Sequence, residues 1–191
     1  MRGLCDLRVV DFSTGIAGAY CTKLLADAGA DVIKVEPPAG DTLRRWSATD
    51  AELGGEDGAL FRFLHHSKRS VVGAPTDTSV RQLVADADLV VAGRGPDARS
   101  ALGLPGSHPG LVLLSITPWG TAGPYAGRPE SDLVIQAESG SIGVRGLPGR
   151  EPFQAGGRIT EWVGGAFAAV PALAAVHRAR RTGHGEHVDL S

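Results

Sequence analysis

The acid with the most suggestive setting in this 191-residue chain is Glu161, in "GGRITEWVGG" (156–165). It lies between two glycine pairs and just ahead of a long run of alanines and apolar residues. Thr160 reads as a helix N-cap. That puts Glu161 in the first turn, where the helix dipole favours the charged carboxylate. A solvated helix-start carboxylate is the ordinary use of such a residue. A nucleophile or base at the mouth of a cleft is the other, because Gly164 and Gly165 would leave open space beside it.

Other groups also have chemical potential. In "DFSTGIAGAY" (11–20), Gly15 and Gly18 precede a helix, where backbone N–H groups can approach a phosphate at the positive helix end. Glu36 lies roughly where a dinucleotide fold keeps its ribose-binding acid, so an NAD-dependent reductase is one reading. Its spacing is nevertheless G-x-x-G. A second glycine match, "GRGPDA" (93–98), carries Pro96 inside and no acid at the required distance. Lys68 and Arg69 read as a solvated strand start that could instead meet a phosphate at a sheet edge. His184 and His187 sit in a glycine-broken segment with no third ligand in register, and His65 and His66 would diverge, so all four read as exposed and no metal is expected. No G-x-S-x-G nucleophile elbow occurs.

The elements that must position these residues follow from apolar periodicity. Strands are expected at 7–12, 31–36, 70–74, 88–93, 111–117 and 187–191. Helices are expected at 19–30, 78–87, near 131–139, and from about Trp162 to Arg180 with a kink at Pro171. Alternating strands and helices define an α/β fold, a Rossmann-like doubly wound and mainly parallel sheet with helices on both faces. Ligands then bind outside the carboxyl ends of the strands, which places the loops after Phe12, Glu36, Gly93 and Thr117 on the working edge.

Composition agrees with one globular domain: 42% hydrophobic residues, 21% charged, and a formal net charge of −2. No basic stripe with interleaved aromatics exists, so nucleic acid is not an expected partner. No apolar run reaches about eighteen residues, which excludes a membrane span, and the first residues lack a signal core. A cytoplasmic protein with Cys5 and Cys21 as reduced thiols is therefore expected, with no membrane partner. Three lysines stand against sixteen arginines, a bias of the kind that GC-rich bacterial genomes produce.

Several segments together carry a family resemblance. "LRVVDFSTGIAGAYCTKLLADAGADVIKVEPPAGDTLRRW" resembles the opening of the family III CoA-transferases, the CaiB/BaiF group that includes formyl-CoA transferase and α-methylacyl-CoA racemase. The likeness continues in order through "SKRSVV", "ADLVV", "LLSITPWGTAGPYAG", "SDLVIQAESG" and "RARRTGHGEHVDLS". It implies an enzyme acting on acyl-CoA, with coenzyme A as substrate and no metal. It also implies CoA contacts at Gly15, Ile16, Ala17, Lys68, Gly93, Arg94, Thr117 and Trp119. In such transferases a carboxylate attacks the acyl-CoA thioester. A mixed anhydride forms, then an enzyme-bound CoA thioester, which an acceptor carboxylate resolves.

By position, the resemblance makes Glu161 that nucleophile, one methylene longer than the family's aspartate. Ser131 stands where the racemase branch keeps a histidine, which argues against racemisation by two opposed bases. Gly93-Arg94 replaces the family's Asn-Phe. Family members are roughly twice this length, so residues 1–191 are expected to be the N-terminal portion of the large domain. On that reading the small domain and the C-terminal return are expected to lie outside these residues, and a homodimer or a partner chain would supply the missing half. The alternative is a non-catalytic CoA-binding or assembly domain, or half of a split enzyme.

Overall fold

The structure, a computed structural model, describes residues 3–93, 100, 103 and 108–191. Among the described residues, six parallel strands form one sheet: β1 (Arg8–Asp11), β2 (Asp31–Glu36), β3 (Arg69–Val72), β4 (Leu89–Ala92), β5 (Val112–Ile116) and β6 (His187–Leu190). Their order across the sheet is β3-β2-β1-β4-β5-β6. Register is fixed by pairs such as Val10 with Ile33 and with Val90. The order reverses between β1 and β4, and the carboxyl ends of these two strands open the crevice where such sheets bind ligands.

The central strands are apolar on both faces because both faces are covered. Successive residues alternate between them, so Val9 joins one core and Val10 the other. On the first face lie α1 (Ile16–Asp27) and the long α5 (Ile159–Thr182), with α3 (Thr78–Ala85) on the second. In α3, Val80 and Val84 are one turn apart and fully buried against Val10, Val35 and Leu113.

Helix α5 lies close on α1 because the facing residues are small. A Cβ on Gly165 would stand 2.4 Å from the Ala17 carbonyl oxygen, and Ala168 and Ala172 continue the buried stripe. Gly165 therefore does not provide space beside Glu161. Gly164 does, since a Cβ there would meet nothing within 4 Å. The helix runs unbroken through Pro171 to Thr182. Over its most apolar 18 residues it has a mean hydropathy of 1.5, long and apolar enough to cross a membrane by length and composition. The expectation that no segment reaches this length is corrected, because a rule of uninterrupted apolar residues does not register an averaged Gly/Ala-rich helix. Here α5 packs on α1 and β5.

Two short elements escape the periodicity reading: a 3-10 turn at Thr42–Arg45 and α2 (Ala59–Leu64). They bury Leu43, Phe61 and Leu64 against Ile16 and Ala19 of α1. A six-residue helix is too short to show a period in sequence. Helix α4 (Asp132–Glu138) matches its expected segment, with Ser131 as its N-cap accepting from the Val134 amide at 3.2 Å.

Candidate active site

Helix α1 begins at Ile16, three residues earlier than its apolar spacing suggests, so Ile16 and Ala17 belong to its first turn. Its N-cap is Gly15 at φ 80°, which has no side chain to satisfy the exposed amides. The missing acceptor comes from far along the chain: Glu161 Oε2 accepts from the Ile16 N–H at 2.8 Å. A Cβ on Gly15 would stand 3.1 Å from that same oxygen, so glycine here allows both the backbone angle and the carboxylate's approach.

Glu161 sits in the first turn of α5, as the sequence implies, but Thr160 is not the cap. The helix starts at Ile159 behind Arg158, whose backbone is left-handed at φ 57°. Thr160 lies inside the helix, and its amide and hydroxyl both donate to Asp132 Oδ1, the amide at 3.2 Å. Arg158 turns back so that its guanidinium pairs with Glu161 Oε1, with Nε at 2.6 Å. The carboxylate is thus held by a guanidinium on one oxygen and the first amide of α1 on the other.

Glu161 lines a cavity of about 760 Å³ at the carboxyl edge of the sheet. That volume suits a sizeable organic ligand. Of the residues implied as CoA contacts, Gly15, Ala17, Gly93 and Thr117 line it. Gly93 approaches the first loop at the switch point, where a Cβ would lie 3.4 Å from the Ser13 Cα. Among the described residues, Thr117 Oγ1 is buried with no hydrogen-bond partner, a polar atom available to a ligand. Trp119 is not on the cavity wall; its ring lies 6.4 Å from that of Tyr125, with the Arg128 guanidinium 5.1 Å from its centroid. Arg94 lies outside the described residues.

Lys68 is placed differently from the phosphate-facing reading. Its side chain is 1% exposed and does not reach the cavity wall. The ammonium donates to the Ala19 carbonyl at 2.9 Å and to Thr22 Oγ1 at 2.7 Å, and it lies 3.6 Å from Asp11 Oδ2. Burial pushes its pKa down to about 8 against the opposing pull of Asp11. Arg69 is the solvated member of the pair and bonds Asp31.

Asp11, fully buried at the end of β1, accepts from Ser13 N and Oγ at 2.9 and 2.5 Å and from Thr22 Oγ1 at 2.6 Å. Burial alone would raise its pKa. The charges of Lys34 and Lys68, with these hydrogen bonds, more than offset that and hold it well below the usual carboxylate range. Lys34 donates to the Ser13 carbonyl and lies 3.4 Å from Asp41. The first loop is therefore pinned from below by paired buried charges.

Three further groups are structural. Glu36 is closed off by Arg44, which donates to both its oxygens at 2.7 Å, by Ser70 and by the Asp41 amide. The Arg44 hydrogen bonds lead in lowering its pKa. Its carboxylate is not presented to a ribose, which removes the acid on which a dinucleotide reading depends. His65 and His187 are partly buried, not exposed. His65 packs on Phe61, and burial first, then the Lys68 charge, push its pKa down to about 4. His187 bonds Ser115 Oγ at 2.9 Å across β5 and β6, while His66 and His184 are exposed as expected. Cys5 and Cys21 are both free thiols, and burial helps push that of Cys21 up to about 12.

The reversal of strand order, the glycine-capped α1 and the Glu161 carboxylate aimed at that cap meet where open α/β sheets bind ligands. The comparisons give the class. The chain belongs to CoA-transferase family III, whose family model matches residues 4–191. It is 34% identical to the succinate–glutarate CoA-transferase of Agrobacterium fabrum, covering 98% of this chain and 50% of that protein. It is 36% identical to the succinyl-CoA:mesaconate CoA-transferase of Haloarcula hispanica, covering 100% of this chain and 52% of that one. A solved CAIB/BAIF family protein from Brucella suis superposes with a TM-score of 0.87 at 34% identity, over 98% of this chain and 52% of that one. The chain spans about half the length of the curated relatives it matches.

Proposed function

We propose that this chain takes part in moving CoA between an acyl-CoA thioester and a carboxylic acid, with Glu161 as the nucleophile. The observation that carries the reading is the Glu161 carboxylate on the wall of a large cavity at the switch point, one oxygen 2.8 Å from the Ile16 amide. The family and the names of its relatives, CoA-transferases between succinyl-CoA and D-citramalate or mesaconate, support it.

In this reading a Glu161 oxygen attacks the thioester carbonyl, and the CoA thiolate leaves as the acyl–Glu161 anhydride forms. The thiolate then attacks the Glu161 carbonyl and releases the donor's carboxylate, leaving a Glu161–CoA thioester. An acceptor carboxylate attacks that thioester, expelling the CoA thiolate as a new acceptor–Glu161 anhydride forms. The thiolate attacks the acceptor's carbonyl, forming the new acyl-CoA and regenerating Glu161. No net redox change or added proton is needed. The Ile16 amide already serves one Glu161 oxygen and would serve the same atom as it becomes a carbonyl or a tetrahedral oxyanion. Gly15, Ala17, Gly93 and Thr117 would form the CoA-facing wall, with Lys68 bracing the loop from behind.

A partner chain or second copy belongs to the same proposal. Phe167 and Val170 on α5 and Phe153 in the preceding loop are large and more than half exposed. One relative is named as a subunit of a succinyl-CoA:(R)-benzylsuccinate CoA-transferase.

Glu161→Gln is the test. The amide oxygen can still accept from Ile16, so the fold should persist, while CoA exchange should fall by at least about a thousandfold, the scale of losing a covalent nucleophile. Exchange at the wild-type rate in the variant contradicts the assignment.

A further inference from the structure

The cavity that holds Glu161 has a second cationic group that the transfer chemistry above leaves unused. Arg145 lies on its wall, in the turn after α4. Its guanidinium donates through Nη1 to Gln136 Oε1 at 2.8 Å. Among the described residues it makes no ion pair with a carboxylate. The other arginine described on that wall, Arg158, pairs with Glu161. A partly buried charge answered only by a neutral amide is costly unless something else meets it.

The support beneath Arg145 is built to hold it. Gln136 is fully buried, and all its side-chain hydrogen bonds point one way round. Oε1 accepts from Arg145 and from the Ala155 amide at 2.9 Å, while Nε2 donates to Asp132 Oδ2 at 2.6 Å and to the Ala155 carbonyl at 2.9 Å. The amide cannot flip without facing donors with donors, so Arg145 always finds an acceptor there. Asp132, beyond Gln136, is not available to Arg145, because its oxygens serve Thr160 and Gln136. Through Asp132 and Thr160 the same chain of bonds ends next to Glu161. The two groups are thus set on one connected frame, with further N–H donors of Arg145 left for a planar anion.

We infer that Arg145 is a specificity residue that anchors the remote carboxylate of a dicarboxylic substrate while the other carboxyl reacts at Glu161. This rests on the CoA-transfer reading for what happens at Glu161, but not for the anchor itself. A monocarboxylic acid of equal length would leave Arg145 unanswered and bind more weakly. The phosphates of CoA are the other anions that could reach it, and the test separates the two.

Titration calorimetry of the full chain with glutarate, valerate and CoA should show glutarate bound about tenfold or more tighter than valerate, the worth of one charge-assisted pair. Arg145→Met should bring that ratio close to one with CoA affinity unchanged, and Arg145→Lys should restore part of it. Circular dichroism of both variants reports whether the fold is kept. A glutarate-to-valerate ratio near one in the wild type overturns the anchor. So does an Arg145→Met variant that keeps the ratio, or one that keeps the ratio and loses CoA affinity, which assigns Arg145 to a phosphate. A chain that shows the diacid preference but never carries CoA on Glu161 keeps the anchor and loses the transfer reading.

Discussion

Two groups of charges lie on either side of the first loop, and they are finished to different degrees. Beneath it, Asp11, Lys34, Lys68 and Asp41 are buried and satisfy one another with serine, threonine and backbone partners. Above it, Glu161, Arg158 and Arg145 face the cavity, with pairs that are partly exposed or answered by a neutral amide. The lower group spends its charge on holding residues 12–15 in one shape, and the upper group keeps charge available to a ligand. Proximity to the loop therefore does not decide which ionisable residues act.

The contrast can be broken at the lower group with the largest effect. Asp11→Asn leaves Lys68 without its counter-charge and Lys34 with Asp41 alone, and should cost about 3–5 kcal/mol, the usual result of removing one partner of a buried pair. Chemical denaturation measures it; a loss below about 1 kcal/mol would show that the pair is not holding the loop.

The next effect is a pH dependence. His65 has its folded pKa lowered from 6.5 to about 4, so the unfolded chain takes up a proton first as the solution is acidified. Its contribution is complete above pH 6.5 and is lost as the pH falls towards 4. Below that, Glu36 and Asp11, whose pKa values are also lowered, extend the loss. Replacing His65 with Phe should flatten the stability curve between pH 6.5 and 4 and leave its more acidic limb intact. An unchanged slope in that window sinks the assignment.

The smallest effects compare two adjacent glycines. Gly165→Ala drives a methyl into the Ala17 carbonyl and should cost about 1–3 kcal/mol. Gly164→Ala meets nothing and should gain up to about 1 kcal/mol from helix propensity. Equal changes in thermal midpoint would contradict the close approach of α5 to α1.

Much of this was legible in the residue order, and the gaps have physical causes. Strands β1, β4 and β5 centre on short apolar runs because both their faces are buried, and β2 shows through Val32, Ile33 and Val35 although it also buries Lys34 and Glu36. Helix α2 was invisible, since six residues make less than two turns. Glu161 could be singled out by its glycine setting and by its place in the family pattern. Its link to Ile16 could not, because the two lie 145 residues apart. Nothing in the sequence separates Arg158 and Arg145 from the other fourteen arginines. Lys68 reads from the sequence as a solvated strand start, and the structure buries it. The chain has only three lysines, and Lys23, Lys34 and Lys68 are all buried or nearly so at the ammonium-bearing side chain. A compact, three-donor ammonium fits a crowded carbonyl and carboxylate site where a planar guanidinium would not.

The central claim is that Glu161 becomes covalently joined to the acyl group and then to CoA. Mass spectrometry of the chain quenched during turnover with an acyl-CoA donor, with any required partner present, tests it directly. The account predicts a CoA thioester on the peptide containing Glu161, converted by hydroxylamine to a hydroxamate at that residue and missing from Glu161→Gln. Transfer proceeding with Glu161 unmodified, or with the label on another residue, contradicts it.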